Sequence, residues 1–190
     1  MSEDEPDMAL LLHFHGMLAT DSQAGIEGLK ALADRGSSWS MVFLVEAYAK
    51  GQVVQPDISQ AEEWNRRAMA AGRIHGSYEI GRYYFRVKDY GMAREAFSMG
   101  ADQQFAPSLN MLATMDIRGL GGPKNLRDAR DLLERAVLQG HIFAKRNLAY
   151  LLMRGTFGMW QRLRGPFLLL SAAIDIIVVV PRHPHSDRLR

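Results

Sequence analysis

The 190-residue chain contains no cysteine. That excludes a disulfide scaffold, a thiolate-bound zinc or iron–sulfur site and a cysteine nucleophile, and it fits a reducing compartment. Proline is scarce, with seven residues, and the 17 glycines follow no strict period, which excludes a collagen-like chain. Long apolar runs are also missing. The only extended one, Pro166 to Val180, has 15 residues and is interrupted by Asp175, whereas a spanning helix needs about 20. The first 29 residues contain neither Lys nor Arg, and the start, Met1-Ser2-Glu3-Asp4-Glu5-Pro6-Asp7, is acidic. A secretion signal needs a basic start followed by an apolar stretch. These absences lead to the expectation of a soluble cytoplasmic protein.

What is present describes a chain with a core to bury. Apolar residues make up 47% and charged residues 23%, which excludes intrinsic disorder. The length suits one domain or one short array of repeats. A net charge of +2 conceals two opposite ends. Residues 1–29 sum to −6, and residues 141–190, with Lys145, Arg146, Arg154, Arg162, Arg164, Arg182, Arg188 and Arg190 against Asp175 and Asp187, sum to +6. Of 23 basic residues 18 are Arg, the side chain suited to bidentate contact with carboxylates or phosphates and to stacking on aromatic rings.

Self-similarity organises the chain. Ser40, Leu44, Tyr48 and Gly51 are followed by Asp57, Ala61, Trp64, Ala68 and Gly72. The same phasing returns in Gly76, Ile80, Gly81 and Tyr84, then Asp89, Ala93, Ala96 and Gly100. It returns again in Ser108, Leu112, Ala113, Asp116 and Gly119, then Asn125, Ala129, Leu132, Ala136 and Gly140. A last copy runs through Ala144, Leu148, Ala149, Leu152 and Gly155 to Gly165, Leu168 and Ala172. Asp21, Gly25, Leu32, Ala33 and Gly36 match the second half of an earlier copy, giving about four and a half units.

Each unit reads as two antiparallel helices. Small and apolar residues at i, i+4 and i+8 form one helical stripe. A Gly such as Gly51, Gly119 or Gly155 ends the first helix in a left-handed conformation. Asp21, Asp57, Asp89 or Asn125 then caps the second, and Asp57 with Gln60 resembles a capping box. One such pair cannot bury its apolar face alone, so pairs must stack.

This pattern resembles the Sel-one-like repeat (SLR) family, a relative of the tetratricopeptide repeats, over about residues 8–180. The resemblance implies an all-α, right-handed α-solenoid of helix-turn-helix repeats that binds other proteins as a scaffold or adaptor. It implies no shared catalytic residues and no cofactor. The expected units are about 8–36, 37–72, 73–104, 105–140 and 141–180 of a single repeat domain, with a polar tail at 181–190.

In such a solenoid the first helices line the concave binding face. Alignment with the tetratricopeptide groove gives five columns of positions. The first is Trp39, His75, Pro107 and Phe143; the second Val42, Tyr78, Asn110 and Arg146. Glu46, Arg82, Thr114 and Tyr150 form the third, and Ala49, Phe85, Ile117 and Met153 the fourth. The fifth, Lys50, Arg86, Arg118 and Arg154, is basic in every copy. Arg and aromatic residues are the types enriched at interface hot spots, so the expected partner is a protein with an acidic or carboxylate-bearing surface. A cation in a helix's last turn also complements the helix dipole, and that simpler reading stands beside it.

The second candidate is the final helix, where Phe167, Leu169, Leu170, Ile177 and Val178 form part of a segment that is apolar nearly all round. A terminal repeat needs a polar outer face. Either residues 181–190 fold back over it, or a homodimer, a protein partner or a membrane surface covers it. A protein contact or self-association is favoured over membrane contact, because exposed apolar patches usually mark such sites.

Other chemistry is weaker. Gly119-Leu120-Gly121-Gly122-Pro123-Lys124 lacks the Gly-Lys-Ser/Thr order of a phosphate loop and reads as an interhelical turn. His13 with His15, and His183 with His185, sit two apart and do not face one way on a helix, so no metal is expected. Tyr48, Tyr84, Trp64 and Trp160 read as packing residues. No nucleophile elbow brackets a serine, and the acidic first third argues against nucleic acid. The reading is a non-enzymatic interaction module, an adaptor or an inhibitor of immunity type. Its rivals are a peripheral-membrane or self-assembling scaffold through Pro166–Val180, and an enzyme or small-ligand binder with a pocket between helices.

Overall fold

The computed structural model describes residues 7–179, with side chains through residue 177. All regular structure there is helical. The elements are α1 (Met8–Met17), α2 (Ser22–Asp34), α3 (Ser38–Lys50), α4 (Ile58–Ala70), α5 (His75–Arg86), α6 (Tyr90–Asp102), α7 (Ala106–Arg118), α8 (Leu126–Leu138), α9 (Ile142–Met153) and α10 (Met159–Val179). They follow one another as five helical pairs among the described residues, so the repeat at the start, half legible from its sequence, has its first helix in α1. The chain divides into two compact units, Met1–Lys88 and Asp89–Arg190, and the division falls in the turn between α5 and α6.

Local chemistry accounts for the boundaries. The carboxylates of Asp21, Asp57 and Asp89 accept from the N–H groups of Ala24, Gln60 and Met92, and Asn125 Oδ1 accepts from Asp128. These bonds satisfy donors that a helix start leaves without an intrahelical partner. Only half of the capping box at Asp57 forms, because the Asp57 N–H goes to the Tyr48 carbonyl at 3.1 Å. At the other ends Gly51 and Gly119 take φ of 64° and 69° and terminate α3 and α7.

In the first unit Leu29, Leu44, Val45, Ala61 and Trp64 are buried. In the second, Leu109, Ala113, Leu133, Leu148 and Leu152 form the core. Small residues set the spacing there. A Cβ on Gly100 of α6 would stand 2.2 Å from Ser108 Oγ of α7, so only glycine permits that approach.

α10 lies against α9, with Gly165 and Ala172 buried on its inner side. Asp175, which interrupts the apolar run, is the ion-pair partner of Lys145 on α9 at 2.7 Å. No helix among the described residues is long and apolar enough to cross a membrane.

Candidate functional site

In the second unit α7 and α9 leave a cleft of about 480 Å³ between them. α7 contributes Asn110, Met111, Thr114, Ile117 and Arg118, one helical stripe; Phe143, Arg146, Asn147, Tyr150, Leu151 and Arg154 come from α9 and its C-terminal end. Eight of these, Asn110, Thr114, Ile117, Arg118, Phe143, Arg146, Tyr150 and Arg154, are groove positions expected from the repeat columns.

The cleft has a fixed floor and a freer rim. Asn110 is buried, and its Oδ1 accepts from Asn147 Nδ2 at 2.9 Å. Thr114 turns its hydroxyl back onto the Asn110 carbonyl, also at 2.9 Å. Arg146 packs its guanidinium 5.1 Å from the Phe143 ring centre and donates to Asn147 Oδ1. Above this, Tyr150 is more than half exposed. Among the described residues neither Arg118 nor Arg154 has a hydrogen-bonding or ionic side-chain partner. Three guanidiniums and no carboxylate line the cleft, so its potential is positive and focused by its concave walls.

The first unit treats its column residues differently. Val42 and Tyr78 are buried, which corrects their placement on an open binding face: both are taken up by packing within the unit. Glu46 and Lys50 form an ion pair with each other one turn apart. Arg82 pairs with Glu79 at 3.2 Å, and Arg86 donates to the Ala49 carbonyl at 2.8 Å. These three column cations, Lys50, Arg82 and Arg86, thus have partners within the unit. Phe85 is half-buried. Trp39 stacks with His75, ring centres 5.4 Å apart, and Arg73 lies 4.6 Å over its ring.

Two residues outside the columns extend this aromatic surface. Phe43 lies 6.3 Å from Trp39, and His15 lies 4.1 Å from Phe43, so four rings from α1, α3 and α5 form a series. Phe43 stands one turn beyond Trp39, a spacing that marks it from sequence. No cluster of three metal-ligating side chains occurs among the described residues, and His183 and His185 lie outside them.

The glycine-rich segment 119–124 joins α7 to α8 and is pinned by α6. Arg94 donates to the Leu120 carbonyl at 3.1 Å and pairs with Asp116 at 2.8 Å. On α10, Phe167, Leu170 and Ile177 point outward, whereas Leu169 is half-buried on the flank against α9. The side chain of Val178 and the tail 181–190 lie outside the described residues. Trp64 is buried, as a packing residue should be, but Trp160 stands exposed on the outer side of α10, because the inner side of that helix is occupied by Gly165 and Leu168.

No family model matches the chain. An F-box protein of Arabidopsis thaliana is 31% identical over 121 residues, which cover 60% of this chain and 32% of that protein. The chain thus spans about a third of the length of the curated relative it matches. Solved structures align with it, and two illustrate the likeness. One is a protective antigen present in uropathogenic Escherichia coli strains, displaying an SLR fold, with a TM-score of 0.71 at 20% identity over 87% of this chain and 38% of that one. The other is a Sel1 repeat protein from Oxalobacter formigenes, with a TM-score of 0.65 at 20% identity over 78% of this chain and 61% of that one. Helices α1–α10 therefore have the α-solenoid fold of the SLR proteins.

Proposed function

We propose that this chain is a non-enzymatic protein–protein interaction module, an adaptor or inhibitor, that receives a carboxylate-bearing segment of its partner in the α7–α9 cleft. The observation that carries the proposal is the lining of that cleft. Arg118, Arg146 and Arg154 surround it without one acidic side chain, next to Phe143 and Tyr150. A guanidinium presents its donors in a planar fork that matches a carboxylate. Arg118 and Arg154, having no side-chain partner among the described residues, can turn that fork to a ligand without breaking an existing bond. A cleft of about 480 Å³ accommodates a few side chains of an extended segment or loop.

Fluorescence anisotropy with the full chain tests this reading. The probes are a labelled ten-residue peptide of alternating Asp and Phe, and the same peptide with Lys for Asp. The acidic peptide binds and the basic one does not. Arg118→Glu and Arg154→Glu each weaken binding by about 30-fold or more, the scale of a hot-spot loss. Arg86→Glu, in the same column but engaged with Ala49 in the first unit, leaves affinity unchanged. Equal binding of both peptides, or indifference to Arg118 and Arg154, overturns the proposal.

A further inference from the structure

α10 carries a second feature that peptide capture does not use. Apart from Met159 in its first turn, which is also exposed, its exposed large apolar side chains are Trp160, Leu163, Phe167, Leu170, Ile174 and Ile177, each between 52% and 83% exposed. Their spacings are 3, 4, 3, 4 and 3, the alternation of a coiled-coil seam. The opposite side of the same helix, through Gly165, Leu168 and Ala172, is already occupied by α9. Six side chains of this size expose on the order of 700 Å² of apolar surface, above the few hundred Å² usual for a monomer's patch and close to one partner's share of a specific interface.

We propose that this seam pairs with the same seam of a second copy, antiparallel, about a two-fold axis near residue 168. The spacing 3-4-3-4-3 is palindromic, so reversing the helix superposes the stripe on itself, as a two-fold contact between identical surfaces demands. That register sets Trp160 opposite Ile177 of the other copy, Leu163 opposite Ile174, and Phe167 opposite Leu170. Both aromatic rings then face an aliphatic residue, and each layer has a comparable volume. A parallel pair would stack Trp on Trp and Phe on Phe and leave other layers thin, against the even packing that cores require. The seam-flanking positions Pro166, Ser171 and Ala173 are uncharged, so they place no charge against a second copy.

The composition of the neighbouring chain favours this occupant over a cover supplied from residues 181–190. That segment holds Leu189 as its one large aliphatic residue, with three arginines, two histidines and two prolines among the rest, and cannot match six apolar positions.

Sedimentation velocity of the full chain over a concentration series provides the test. Wild type sediments as a dimer. Leu163→Lys and Ile174→Glu, both at exposed positions and both checked for native helicity by circular dichroism, raise the dissociation constant at least about 100-fold, because each places a lone charge in an apolar seam. The combined variant L163K/I174E sets Lys against Glu in both layers of the antiparallel pair and recovers the dimer. In a parallel pair it would set Lys against Lys and stay monomeric. A wild-type monomer at about 0.5 mM, weaker than any functional association of this area, overturns the proposal. So does a combined variant that fails to recover the dimer. Co-sedimentation of monomeric wild type with phosphatidylcholine–phosphatidylserine vesicles, lost in Leu170→Glu, assigns the seam to a membrane surface and also overturns it.

Discussion

Arg94 of α6 meets Asp116 of α7 at 2.8 Å, and the Asp116 side chain is only 7% exposed. The same guanidinium holds the Leu120 carbonyl, so one side chain fixes both the end of α7 and the loop after it. Removing Arg94 leaves a carboxylate buried without its countercharge, a loss that costs about 3 kcal/mol in comparable pairs. Arg94→Met should therefore lower the denaturation midpoint strongly with an unchanged m-value. The double variant Arg94→Met/Asp116→Leu should be more stable than Arg94→Met alone, since replacing both partners removes the stranded charge. A double variant less stable than the single one refutes that account.

The loop itself is held by a steric constraint. Gly121 has φ of 65°, and a Cβ there would stand 2.2 Å from the Tyr90 carbonyl oxygen. Gly36 also has positive φ, 95°, but open space around it. Left-handed backbone alone costs a non-glycine residue about 1 kcal/mol; the clash adds to it. Gly121→Ala should thus destabilise clearly more than Gly36→Ala in thermal denaturation, and equal effects would mean that the loop moves freely away from α6.

Helix starts and binding positions differ in how far the amino-acid order determines them. Repeat phasing and cap residues are local signals, so the sequence alone places Asp21, Asp57, Asp89 and Asn125 at helix starts, where they stand. The binding face depends on a neighbour's packing, which a column cannot register. Tyr78 shares a column with Arg146, yet Tyr78 is buried while Arg146 borders the cleft. Likewise α10 is apolar on both sides, so composition alone does not separate the seam through Phe167 and Leu170 from the side that Leu168 and Ala172 turn to α9.

Peptide capture by Arg118 and Arg154 implies a defined response to salt. Exposed charges at the rim are screened as the Debye length falls from about 10 Å at 0.1 M to about 3 Å at 1 M. The acidic peptide's affinity should fall steeply across that range, whereas the Arg118→Gln/Arg154→Gln variant should bind weakly with a shallower slope. A wild-type affinity insensitive to salt would mean that Phe143 and Tyr150 supply the binding without the guanidiniums.

The third helical pair offers a stabilising change. Where other repeats place glycine after a helix, this one has Lys88 at φ of 65° after α5 and Gln104 at φ of 59° after α6. Both carry the left-handed penalty of a side-chain-bearing residue, about 1 kcal/mol each. Gln104 is a poor site to change, because its Oε1 accepts from Arg135 at 3.2 Å. Lys88 is exposed, and its side chain has no partner among the described residues. Lys88→Gly should therefore raise stability by up to about 1 kcal/mol, less the added entropy of a flexible residue in the unfolded chain. Gln104→Gly should gain less, since it gives up the bond to Arg135. Chemical denaturation of the two variants beside wild type ranks them, and a Lys88→Gly variant less stable than Gln104→Gly contradicts the assignment of strain to the backbone alone.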